Sequence, residues 1–76
     1  NNQNENESIL LKQMKDKLKC TYLLNSAQCN LKLENYKYVI EDCNTVLEID
    51  KENIKGLYRR GKAFYKLGDL IKAKED

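Results

Sequence analysis

In the stretch "NIKGLYRRGKAFYKLGDL", residues 53–70, four cations stand at intervals of four, three and four: Lys55, Arg59, Lys62 and Lys66. At about 100° per residue, a helix gathers them within an arc of about 60°. Like charges at these separations repel by a few tenths of a kcal/mol per pair, and no Asp or Glu is interleaved to relieve them. A shift of 34 residues carries the stripe onto Thr21, Asn25, Gln28 and Lys32, all polar and none acidic. Two helices in that register present a wall of donors suited to a ligand rich in carboxylates, with Lys as a point charge, Arg as a fork and Asn as an amide donor. The other reading is a solvated outer face, and spacing alone leaves both open. Lys62 and Lys66 divide evenly between the rim of such a groove, with Gln28, and plain solvent.

The neighbours of the stripe are assigned by position. Arg60 sits about 100° round the helix from Arg59 and is expected to pair locally with an acid. Tyr58 and Tyr65 either line the groove or pack on the neighbouring helix, and packing is the expected outcome. Glu41, Asp42 and Glu48 read as a solvated face. Cys20, Cys29 and Cys43 make no CxxC pair, and with no His in the chain there is nothing to complete a zinc set. They are expected to be reduced, small and buried, which points to the cytosol or nucleus. No nucleophile with a base, no glycine-rich phosphate loop and no metal constellation is present, so neither catalysis nor a cofactor is called for.

The totals agree with a small interaction module. Seventy-six residues make at most one small domain of marginal stability. A net charge of +2, from 14 Lys and Arg against 12 Asp and Glu, is too balanced for nucleic-acid binding by bulk charge. No apolar run approaches the roughly 18 residues of a membrane span. The absence of Pro and the three glycines, at 56, 61 and 68, give a helical composition.

The elements that must position the stripe follow from periodicity. The polar start "NNQNENE", residues 1–7, is a tail or the frayed start of a helix. Residues 8–33 run without Gly or Pro, and Leu11, Met14, Leu18 and Tyr22 mark one helical face. "LENY" reads as a turn and residues 36–49 as a second helix with an apolar face of Tyr36, Val39, Ile40, Cys43, Val46 and Leu47. Asn53 is a candidate N-cap for a third helix over 54–67. Gly68 and Asp69 repeat the turn, and 70–76 begin a fourth helix. The 34-residue shift also pairs Ala27 with Gly61, Leu23 with Leu57 and Leu33 with Leu67, placing Gly61 as the small residue at a helix crossing. The fold class is all-α, built of antiparallel helix-turn-helix repeats.

That period, with Ala27 and Gly61, the aromatic Tyr36 and the closing "VLEIDKEN", resembles the tetratricopeptide repeat over roughly residues 20–76. Lys51 stands where the family usually has Pro, Leu23 and Leu57 where it often has Trp, and Asn30 where an aromatic is common. "LNSAQCNLKL" and "NIKGLYRRGKA" resemble the chaperone-binding type, above all the C-terminal domain of large immunophilins of the FK506-binding-protein type. The resemblance implies a carboxylate clamp for the C-terminal Glu-Glu-Val-Asp of a cytosolic heat-shock chaperone, Hsp90 or Hsp70, with Asn25, Lys55 and Arg59 matching clamp positions. It also implies a chain truncated at both ends, with the first repeat expected before Asn1. Such a fragment is expected to self-associate or to be loosely folded. Two alternatives stand beside the clamp: a scaffold whose groove holds another protein segment, and the docking end of a peptidyl-prolyl isomerase.

Overall fold

The computed structural model describes residues 2–75; Asn1 and Asp76, which the sequence reading put in the tail and the last helix, lie outside the described residues. Three helices follow in order: α1, Asn2–Lys32; α2, Tyr36–Ile49; and α3, Ile54–Glu75. The polar start is therefore helical from Asn2. Among the described residues there is no strand.

Local sequence explains where each helix stops. After Lys32 the chain closes α1 with a Schellman turn: the Asn35 N–H donates to the Asn30 carbonyl at 2.8 Å and the Glu34 N–H to the Leu31 carbonyl at 3.1 Å. Glu34 holds the left-handed position of that turn at φ 62°, where a glycine is usual. The 50–53 link closes α2 and starts α3. Asp50 N–H returns to the Val46 carbonyl at 2.8 Å, and Asn53 Oδ1 accepts the Gly56 N–H at 2.8 Å, a side-chain N-cap.

α2 packs on both neighbours. Its Tyr36, Val39, Cys43, Val46 and Leu47 are buried. Val39 and Cys43 join Ala27 of α1 and Ala63 of α3 in one core cluster, with Leu31, Ile40 and Leu67 against it. The two alanines are the small residues that let α1 and α3 close on α2. Asn30, at a position often aromatic in the resembling repeats, acts as a polar tie. Its Nδ2 donates to Ser26 Oγ and Asp42 Oδ2, both at 3.4 Å, and its Oδ1 accepts from Asn35 Nδ2 at 3.5 Å.

Several expectations are corrected. α3 runs without interruption through Gly68 and Asp69, so no turn forms there and no separate helix begins at 70. One helical glycine costs only about 1 kcal/mol against alanine, too little to break a helix that no packing demands be broken. Gly61 is not at a crossing: a Cβ there would meet nothing within 4 Å, whereas one on buried Gly56 would meet Val46 Cγ1 at 3.4 Å and Leu47 Cδ2 at 3.5 Å. The straight α3 turns its Gly56, Ala63 and Leu67 side to α2 and leaves the Gly61 side open among the described residues. On α1 the stripe Leu11, Met14, Leu18 and Tyr22 stays exposed, because Cys20, Ala27 and Leu31, on the other side, make the packed face. The assembly is long, 65 × 19 × 15 Å.

Candidate functional site

α3 carries the cation stripe along the side it shares with α1. Arg59 fixes the relation between the two helices, because its Nη1 donates to the Leu24 carbonyl at 3.1 Å, one residue before Asn25. A mid-helix carbonyl has a second lone pair, so it accepts this bond without giving up its place in the helix. Half-buried Arg59 thus has its guanidinium anchored by one of five donors, with others left for a ligand. Lys55, one turn earlier, and Asn25 are exposed. The sole ion pair among the described residues joins Lys12 to Asp16 at 2.9 Å, so none of Lys55, Arg59, Lys62 and Lys66 is ion-paired to a described carboxylate.

Beyond Arg59 the two helices part into a cavity of about 260 Å³, lined by Gln28, Leu31, Lys32, Glu34, Tyr36, Lys62 and Lys66. All three residues expected at a groove rim, Gln28, Lys62 and Lys66, meet here. Asn25, Lys55 and Arg59 do not line it; they flank it toward the start of α3. Sequence reasoning put Lys32 on the donor wall but not among the site residues, and it put neither Glu34 nor Tyr36 in a site. Lys32 lines the cavity as the 34-residue partner of Lys66, whereas Glu34 and Tyr36 arrive through the turn. A larger cavity of about 490 Å³, lined among others by Asp16, Lys17, Cys20 and Asp50, carries both signs of charge and none of the expected site residues.

The neighbours of the stripe depart from expectation. Tyr58 and Tyr65 are 63% and 69% exposed rather than packed, because they lie far round α3 from Ala63. The Lys62 ammonium rests 6.0 Å from the Tyr58 ring centroid, a weak cation–π contact at an exposed site. Arg60 finds an amide rather than an acid, donating from Nη1 to Asn44 Oδ1 at 2.9 Å. All three thiols are free, but Cys29 is exposed, contrary to the expectation of burial. Burial, then the charge of Asp42, pushes the Cys43 thiol above its ordinary range; burial, then Asp50 and Asp16, does the same for Cys20. The direction of the shift favours the protonated thiol at both.

Fold and site together define an all-α helical repeat with a cationic seam, free of ion pairs among the described residues, between two of its helices. The chain is 47% identical over 53 residues, 70% of its length, to the proteins named peptidyl-prolyl cis-trans isomerase FKBP4 of Bos taurus and Homo sapiens. It is 48% identical over 50 residues, 66% of its length, to the Hsp70/Hsp90 co-chaperone CNS1 of Saccharomyces cerevisiae. It spans only 12% of the former and 13% of the latter. No family model matches the chain, and no solved structure matches it significantly. No helix is long and apolar enough to cross a membrane, among the described residues.

Proposed function

We propose that the chain is a tetratricopeptide-type interaction module that docks the acidic C-terminal tail of a cytoplasmic heat-shock chaperone. The observation that carries this reading is the Arg59–Leu24 bond, which sets an acid-free cation stripe beside Asn25. In the proposed mode a free C-terminal carboxylate and an adjacent Asp side chain meet Lys55 as a point charge, Arg59 as a fork and Asn25 as an amide donor. The name of the yeast relative, an Hsp70/Hsp90 co-chaperone, supports a chaperone as the partner.

The test is a titration of a pentapeptide ending in Glu-Glu-Val-Asp, free or amidated at its C-terminus, into the protein. The free form is expected to bind with an affinity that falls as salt rises, while amidation and Lys55→Ala each weaken it about tenfold or more. Equal binding of the amidated peptide, or indifference to Lys55→Ala, sinks the clamp and leaves a scaffold for some other protein segment. The isomerase names of several relatives favour one addition, that the longer protein carrying this segment is a peptidyl-prolyl isomerase and the segment its docking end. An isomerase assay on that longer protein decides it: absence of activity removes the addition and leaves the docking role intact.

A further inference from the structure

We infer that Arg60 is a positioning residue, whose bond to Asn44 sets the rotation of α3 about its own axis and so aims Lys55 and Arg59 at the ligand. This inference rests on the proposed docking of an acidic tail and adds to it the device that holds the two cations in place. The apolar contacts of α3 restrain its rotation only weakly. It meets α2 through Gly56 and Ala63, which are buried, and Leu67, which is half-buried. Residues as small as the first two raise no ridge for α2 to grip, so a helix resting on them turns with little loss of contact. A side-chain tip about 5 Å from the axis moves about 2 Å when the helix turns by about 20°. That exceeds the roughly 0.5 Å span of good hydrogen-bond lengths, so the aim of the cations needs a firmer hold.

Two guanidinium groups supply it. Arg59 and Arg60 are neighbours in the chain but lie about 100° apart round α3. Arg59 Nη1 donates to the Leu24 carbonyl of α1 at 3.1 Å, and Arg60 Nη1 donates to Asn44 Oδ1 of α2 at 2.9 Å. Among the described residues these are the side-chain hydrogen bonds that α3 makes to the other two helices. Anchored on different helices, the pair resists a turn in either direction. The ground under Asn44 is firm, because the adjacent Cys43 is fully buried in the core cluster that holds Ala63. The acceptor is also a neutral amide, so the strut sets no carboxylate beside Arg59 to compete with an acidic ligand.

The test titrates the Glu-Glu-Val-Asp pentapeptide, free and amidated, into the chain and into variants at positions 44 and 60. Asn44→Ala removes no charge, and it is expected to lower the ratio of free to amidated affinity about threefold, less than outright loss of a charge-assisted contact would. In an Arg60→Met background the same substitution is expected to have no further effect, since the bond is already gone. A purely structural role would lower the melting temperature and leave the ratio alone. Asn44 is exposed and Arg60 half-buried, and unchanged helical circular dichroism checks that the fold persists. A second readout needs no ligand: by nitrogen-15 relaxation, the side-chain Nε–H of Arg59 is expected to be ordered in the chain and mobile in Asn44→Ala. An unchanged ratio in Asn44→Ala, a further fall in the Arg60→Met background, or an Arg59 side chain equally ordered in both proteins overturns the positioning role alone. If free and amidated peptides bind the unaltered chain equally, the docking reading itself fails and the positioning role goes with it.

Discussion

Asn53 shows how much a single side chain settles. Its Oδ1 caps α3 through the Gly56 N–H, and its Nδ2 donates to Asp50 Oδ2 at 3.2 Å, so one amide closes the link and opens the next helix. Asn53→Ala is expected to cost about 1 kcal/mol and Asn53→Ser far less, because Ser keeps an accepting oxygen for the Gly56 N–H and sets no second carboxylate against Asp50. Thermal melts of the two variants decide it, and equal losses would show that the cap bond carries no weight. This cap was legible because it is local, an Asn directly before a helical run. The partner of Arg60, the exposure of Cys29 and the side taken by Tyr58 and Tyr65 were not, since each depends on which helix lies alongside. Arg59 is the informative case: its place on the stripe is a matter of spacing, but its bond to Leu24 spans 35 positions and no local pattern announces it.

At the scale of elements, α2 was the most legible because its apolar face is used: Tyr36, Val39, Cys43, Val46 and Leu47 are buried, and Ile40 is half-buried against them. α3 was the least. The 34-residue shift transferred a turn from 33–36 to Gly68–Asp69, yet a turn needs a returning helix to reward it, and a continuous α3 keeps its own hydrogen bonds instead. The glycines make this measurable. Gly56→Ala and Gly61→Ala are each expected to raise stability by about 0.5–1 kcal/mol, since both lie inside a helix and neither Cβ meets a neighbour closer than ordinary contact. A melting temperature lowered by Gly56→Ala would show the α2–α3 crossing to be tighter than 3.4 Å contacts imply. A gain from Gly61→Ala would agree with the open space beside it.

For the whole molecule, the repeat register foretold helices but not how many of their faces would be covered. Leu11, Met14, Leu18 and Tyr22 on α1, and Leu57, Phe64 and Tyr65 on α3, are all more than two-fifths exposed. Apolar surface on that scale favours association and weakens the cooperativity of a lone copy. Melting is therefore expected to be broad in dilute solution and to sharpen and rise as protein concentration increases. A sharp, concentration-independent transition of a monomer would contradict this. The cationic seam lies on the flank of α1 and α3 rather than on these faces, so association and the proposed peptide docking are separable in a titration.

The elongation of the chain bears on how such association must be measured. Its radius of gyration is 16.3 Å, against about 11 Å for a compact domain of this length. A rod 65 Å long tumbles and diffuses like a much heavier sphere, so a single copy leaves a size-exclusion column early and imitates a compact pair. Two copies laid side by side would add thickness rather than length and shift the elution little. Elution volume is thus nearly blind to the equilibrium, and light scattering or sedimentation equilibrium, which weigh particles rather than size them, can count the copies.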